Sequence, residues 1–250
     1  MSDNSYNEMI MRGHFLYWDM LGQLSGIENH QEEKLRWLTG DINYTYFTDT
    51  SEINELVARI NKGEIPNNLY FFSDDLVTYP ATLYLESGLF EKDAETFGMA
   101  HELDKTVQLE PNQHLELFQV KDLIQLKMVS SILNTAFEYN LFSFAKYREM
   151  FRNEGQYFYL AEYDGVPASA IMVQDGDDFV NISWVGTLAG YRQLGLAGHL
   201  IQMAEYDALS RGKTLAVLQG YTGIIGAYRH IGYKEYFRGV GVKLIEKIEK

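Results

Sequence analysis

The stretch "YRQLGLAGHL" (191–200) carries two glycines, Gly195 and Gly198, where an apolar helical pattern begins, directly behind Arg192 and Gln193. A glycine inside a helix costs about 1 kcal/mol relative to alanine, so two in the first turn need a reason. One reason is close packing against a neighbouring element. The other is an anion, because a helix start stripped of side chains presents free N–H groups at the positive end of the helix dipole. The amides from Gln193 to Gly198 could then cradle a pyrophosphate. The stretch is not a Walker loop, since it lacks Gly-Lys-Ser/Thr. Nor does it match G-x-G-x-x-G, and no parallel βαβ unit is expected around it.

The elements that must position this turn follow from periodicity. A strand is expected to end at Thr187, followed by a four-residue link and a helix whose buried face is Leu200, Met203, Ala204 and Ala208. Upstream, residues 156–187 predict three strands, with Asp164-Gly165 as the first hairpin turn and "DGDD" as the second. They are preceded by a strand at "LELFQV" and a helix from Leu123 to Tyr139. Downstream come strand "TLAVLQG", helix "TGIIGAYRHIG" and strand "KEYFRGVGVKLI".

The first part of the chain predicts a helix over residues 1 to about 30, a strand at "DINYTYF" and a helix at "SEINELVARINKG" closed by Gly63. Strand "NLYFFS", helix "YPATLYLESG" and strand "AETFGMAHEL" complete it. The polar segment "DKTVQLEPNQ" (104–113) then marks a boundary, giving lobes of residues 1–108 and 109–250. "LYLESGLF" (83–90) and "AYRHIGYK" (227–234) share Tyr-x-x-x-Gly and an apolar residue at corresponding places in the two halves. That echo fits either a duplication or the common habit of helices to end in glycine.

Composition narrows the partners. A net charge of −14 over 250 residues argues against a nucleic-acid backbone or an anionic membrane. With no cysteine there is no disulfide, no thiolate metal site and no cysteine nucleophile. No His/Asp/Glu spacing suggests a metal. The polar, acidic start does not read as a signal peptide, and no run approaches the roughly 18 apolar residues of a spanning helix. A cytoplasmic enzyme or binding protein is expected.

"TLAGYRQLGLAGHL" resembles the acetyl-CoA loop of the GNAT superfamily of N-acetyltransferases, V-x-P-x-Y-R-G-x-G-L-G/A. Tyr191, Arg192, Gly195, Leu196 and Ala197 match, while Thr187, Ala189 and Gln193 replace the valine, the proline and the first glycine. "LQGYTGIIGAYRHIGY" resembles the second signature, L-Q-A-S…Y-x-x-x-G-F, through Gln219, Tyr228, Gly232 and Tyr233. The resemblance spans about residues 114 to 250. It implies an α/β protein of the α+β type, with a mixed, mostly antiparallel central sheet flanked by helices.

The resemblance also implies roles. The amides of Gln193, Leu194, Gly195, Ala197 and Gly198 would hold the pyrophosphate of acetyl-CoA, with Arg192 beside it. Gly198 fits tight helix packing better than direct contact. Backbone groups of Val185 and Thr187 would pair with the pantetheine arm, and the Thr187 N–H would serve an oxyanion. Tyr228 stands where the family places its general acid, and a phenol of pKa about 10 is protonated at neutral pH. The other reading of Tyr228 is a packed helix tyrosine, one of 18. The family often uses a carboxylate base on the strand before the loop, but here only Asn181 and Ser183 are available, which suggests a relayed water. Asp177 and Asp178 read as turn residues, and His199, His230 and Glu138 remain available.

The first half resembles the N-terminal lobe of two-lobed members of the superfamily. It shows no R-x-x-G-x-G/A loop, since the chain runs from "NLYFFSDD" to "LYLESG", and Asp74 and Asp75 would repel a phosphate there. It is expected to bind no coenzyme and to shape the amine pocket, leaving residues 110–250 to hold the site alone if they fold. The reading that emerges is an acetyl-CoA-dependent N-acetyltransferase acting on a primary amine of a small molecule or peptide, with room for a homodimer. The alternatives are a non-catalytic acyl-CoA-binding or sensor protein, and a structural protein pairing through its first lobe.

Overall fold

The computed structural model describes residues 3–33, 35–47, 53–73, 81–104, 112–138 and 142–245. The first half runs α1 (Asp3–Gly22), β1 (Ile27–Gln31), β2 (Leu35–Gly40), β3 (Tyr44–Phe47), α2 (Ile53–Asn61), β4 (Asn68–Ser73), α3 (Ala81–Glu86) and β5 (Phe90–Glu102). The second runs β6 (Leu115–Gln119), α4 (Leu123–Ala136), α5 (Phe144–Phe151), β7 (Gln156–Tyr163), β8 (Val166–Asp175) and β9 (Phe179–Thr187). After a 3-10 turn at Ala189–Tyr191 come α6 (Leu196–Ser210), β10 (Leu215–Tyr221), α7 (Ile225–His230) and β11 (Lys234–Leu244).

Local sequence explains most of these elements. Asp122 caps α4 by accepting from the amides of Ile124 (2.9 Å) and Gln125 (2.8 Å). Ser143 caps α5. Asp164 and Gly165 both take positive φ, 49° and 77°, as the tight turn between β7 and β8 demands. The first helix ends at Gly22, short of the expected thirty residues, because left-handed Gly26 turns the chain into β1. β1, β2 and α5 are short elements that periodicity did not isolate.

All the strands among the described residues join one 11-stranded sheet, ordered β1-β2-β3-β4-β11-β5-β10-β9-β8-β7-β6. It is mostly antiparallel, with parallel pairs at β3/β4 and β9/β10. The mixed, mostly antiparallel sheet flanked by helices expected from the sequence is therefore the observed fold. The expectation that no parallel βαβ unit surrounds the glycine turn is corrected, because β9, α6 and β10 form one.

The halves repeat one order of elements. β1-β2-β3-β4 matches β7-β8-β9-β10, α2 and α3 match α6 and α7, and β5 matches β11. Tyr84 and Tyr228 are both buried on matching helices, and Gly88 and Gly232 both take positive φ at their ends. The terminal strands are exchanged. β11 lies between β4 and β5, and β5 lies between β11 and β10. The boundary segment falls largely on residues 105–111, outside the described residues, and strand pairing runs straight across the two halves.

Helices α1, α4 and α5 share one apolar cluster with one face of the sheet, including Trp18, Leu133, Tyr147 and Met172. Helices α6 and α7 pack with Ile171, Val180 and Leu218 in a second cluster, and α2 and α3 with Phe71 and Val240 in a third. Exchange thus places the middle of the sheet between helices from both halves.

Candidate functional site

The parallel pairing of β9 with β10 runs only from Phe179/Leu215 to Ile182/Leu218. Beyond that point β9 continues against β8 to Thr187, and β10 continues against β5 to Tyr221. Their facing edges part at Ser183 and Gln219, opening a wedge in the sheet. A β-bulge drives the parting. The register shifts between Ala170 and Met172, and Trp184 takes a φ of 50°. An extra residue in one strand bends it and increases its twist.

The bulge also orients the backbone. Leu188 N donates to Ala168 O at 2.9 Å, and Ser169 opposes Thr187. Antiparallel alternation therefore turns the N–H groups of Thr187 and Val185 away from β8 and toward the wedge. The Thr187 hydroxyl is held by Ser169 at 2.8 Å. Gly186 lets α4 approach, since a Cβ there would come within 2.8 Å of Leu133 Cδ2.

At the mouth of the wedge, Gly195 is the N-cap of α6 with φ 81°, and no side chain caps the helix. Gln193 also takes positive φ, 65°. Helix α6 therefore begins at Leu196, after a link of eight residues (188–195) rather than four, and no side chain caps its first amides. These bare amides, a left-handed glycine and the dipole end fit an anionic pyrophosphate. Gly198 corrects its expected role. A Cβ there would meet only Ile231 Cγ2 at 3.7 Å, so helix packing does not require a glycine. Arg192, expected beside the pyrophosphate, has two backbone partners. Its Nε donates to Thr187 O (3.2 Å) and its Nη2 to Ala136 O (3.3 Å), bracing the end of β9 against the end of α4.

Tyr228 approaches the wedge from the α6 side. Its ring lies over Gly220 of β10, where a Cβ would come within 2.9 Å of it. Burial pushes its phenol well above the ordinary value of 10.0, and the hydroxyl has no hydrogen-bond partner among the described residues. Gly220 is a requirement of this arrangement that sequence reasoning missed, although a glycine inside a strand is the signal of close approach.

The opposite face belongs to α1. His14 Nδ1 lies 3.0 Å from Gln219 Nε2, and Tyr17 accepts from Trp184 Nε1 at 2.6 Å. Burial pushes His14 down to about 3, so it is neutral. Asn181 lies in the closed part of the sheet opposite Val217, under Gly13 of α1, with Nδ2 donating to Gln174 at 3.4 Å. Ser183 lies at the point of parting, and its buried Oγ has no partner in the described structure.

The remaining candidates lie elsewhere. His199 Nδ1 approaches Gly195 O at 2.9 Å, Asp177 pairs with Arg12, and His230 and Glu138 are exposed. Among the described residues no group of three or more His, Asp or Glu side chains is placed to hold a metal. Asp74 and Asp75 fall outside the described residues, and they follow β4 rather than β3. Since α2 matches α6, the counterpart of the loop at 188–195 is the segment 48–52, "TDTSE", which has no glycine and two carboxylates.

Residues 126–233 match the acetyltransferase (GNAT) family model. No curated protein matches the chain in sequence. Among solved structures, a GCN5-related N-acetyltransferase from Kribbella flavida is similar over 93% of this chain and 95% of its own, at 19% identity and a TM-score of 0.67. One from Sphaerobacter thermophilus is similar over 85% and 81%, at 15% identity and a TM-score of 0.65. A tandem GNAT protein from the clavulanic acid biosynthesis pathway covers 83% and 77%, at 16% identity and a TM-score of 0.58. These likenesses describe the fold, including its extent across both halves. Residues 126–233 form a GNAT-family acetyltransferase domain.

Proposed function

We propose that the protein transfers an acetyl group from acetyl-CoA to a primary amine of a small molecule or peptide. The observation that carries this reading is the wedge between β9 and β10, with bare helix amides at its mouth and the Tyr228 hydroxyl on one side. The amides of Gln193, Leu194, Gly195, Ala197 and Gly198 hold the pyrophosphate, and Val185 and Thr187 receive the pantetheine arm as an added strand. The coenzyme supplies an activated thioester. The amine nitrogen bonds to the thioester carbon, the C–S bond breaks, and the Thr187 N–H steadies the oxyanion in between. Tyr228 donates its proton to the departing thiolate. The amine's proton leaves through a water at Ser183, a buried hydroxyl at the parting of the strands with no partner among the described residues.

Residues 109–250 carry the coenzyme, and residues 1–108 form a related lobe that supplies the α1 face of the amine pocket. A homodimer is compatible with this arrangement. No helix among the described residues is long and apolar enough to cross a membrane. The test is a thermal shift with acetyl-CoA followed by thiol release over a panel of amines. A raised Tm with at least one amine turned over is expected. Saturable binding without turnover of any amine would make the protein an acyl-CoA sensor instead.

A further inference from the structure

Glu205 on α6 is a carboxylate that is only 1% exposed. Burying such a group is costly unless donors surround it, and an apolar side chain would serve a helix core better. Among the described residues two groups reach its Oε1, while Oε2 is buried without a partner. Tyr233 OH donates to Oε1 at 2.7 Å, and His101 Nδ1 lies 3.1 Å from the same oxygen. The three side chains come from three parts of the fold. Glu205 lies on the helix whose first turn opens the coenzyme cradle. His101 lies on β5, the strand that the first half inserts beside β10. Tyr233 lies in the turn between α7 and β11.

That turn is the support of Tyr228. The Tyr233 amide donates to Tyr228 O at 3.1 Å, and the two rings lie 6.1 Å apart between centroids. The turn is also pinned against His101, because a Cβ on Gly232 would come within 2.6 Å of its Nε2. The side chain of Tyr233 therefore points from the acid's own main chain to the buried carboxylate.

We propose that Glu205 is a positioning residue for acetyl transfer: through Tyr233 it fixes the turn carrying Tyr228 relative to the coenzyme helix, with His101 clamping the same carboxylate to the exchanged strand. The proposal rests on Tyr228 acting as the acid. A displacement of about 1 Å in a reacting group can cost on the order of a hundredfold in rate, so a fixed relation between α6 and this turn has catalytic value. Coenzyme binding, in contrast, depends on the far end of α6 and stays intact without the carboxylate.

The experiment compares Glu205→Leu, Glu205→Gln and Tyr233→Phe with the parent in the full chain. The readouts are thiol release from acetyl-CoA, calorimetric Kd for acetyl-CoA, and Tm. Release is measured with the panel amine turned over fastest or, without one, to water. Glu205→Leu and Tyr233→Phe should lower kcat about tenfold or more while Kd stays within about twofold. Tm should fall in Glu205→Leu, which leaves the buried Tyr233 hydroxyl and His101 without their acceptor, so kcat and Kd are compared well below the transition of each variant. Glu205→Gln, which keeps an acceptor oxygen for Tyr233, should recover most of the lost kcat. In the Tyr228→Phe background, Glu205→Leu should cost nothing further.

A kcat for Glu205→Leu within about twofold of the parent, when Tyr228→Phe alone is slow, overturns the positioning role and leaves the acid assignment standing. Additive losses in the double variant also overturn it, because Glu205 would then act by another route. If Tyr228→Phe is itself as fast as the parent, the acid assignment fails and the proposal falls with it.

Discussion

The acid role proposed for Tyr228 rests on what surrounds it. Gly220 gives the ring its place, burial keeps the phenol protonated, and no neighbour among the described residues takes up the hydroxyl. Tyr228→Phe removes one oxygen and no packing. It should lower kcat by about 10²–10⁴-fold, with a smaller effect on the KM for acetyl-CoA. Steady-state thiol release checks this, and a kcat within twofold under rate-limiting chemistry would assign the proton to another group. His14 makes a second prediction at this scale. Its ordinary value of 6.5 falls to about 3 on burial, so at intermediate pH the unfolded chain binds a proton that the folded chain refuses. Stability is therefore full above pH 6.5 and is lost as pH falls toward about 3. The drop in Tm across that window should be shallower in His14→Gln, as scanning calorimetry would show. Tyr228 was legible through its motif, but its freedom depends on Gly220, and His14 is buried by strands far away in the chain.

At the scale of elements, the turn before α6 separates two uses of glycine that look alike in sequence. Gly195 needs its φ of 81°, and a side chain there is strained by roughly 1–2 kcal/mol. Gly198 has ordinary helical backbone and space for a methyl group. Gly198→Ala should therefore raise Tm in the absence of ligand, by up to about 1 kcal/mol of stability, yet weaken acetyl-CoA binding by crowding the cradle. Gly195→Asp should abolish the thermal shift while the protein remains folded. Thermal scans with and without acetyl-CoA read both effects. If Gly198→Ala gains stability and binds as the parent does, the pyrophosphate does not approach that residue. The turn itself was legible because Tyr191, Arg192 and Gly195 lie close together in the chain. The backbone partners of Arg192 were not, since Ala136, whose carbonyl it reaches, belongs to another helix. The same limit explains Asn181. Its place on β9 followed from periodicity, but its burial under Gly13 depends on a helix of the other half.

Exchange of the terminal strands decides how the whole molecule holds together. A lobe of residues 110–250 looked self-sufficient because periodicity marks elements and says nothing of which strands pair over long distances. In the structure β10 has β5 along one edge, and β11 has β4 and β5 on its two sides. A fragment of residues 110–250 would lose all three of these pairings. Its β10 and β11 would expose unsatisfied backbone edges and the apolar faces of Val217, Val240 and Val242, a state that favours aggregation. That fragment should therefore be insoluble, or unfold without a cooperative transition, and should show no thermal shift with acetyl-CoA. Cutting the chain without removing anything is a different perturbation. A protease site inserted at residue 108, within the boundary segment, should leave both pieces associated after cleavage, because every strand pair remains. The nicked protein should bind one acetyl-CoA per pair of pieces in calorimetric titration, since the matching segment 48–52 offers carboxylates and no glycine to a phosphate. A soluble, binding-competent 110–250 fragment would show that the exchanged strands are dispensable to the site. A stoichiometry of two would show that the first half holds a coenzyme as well, against its charge and its missing glycines.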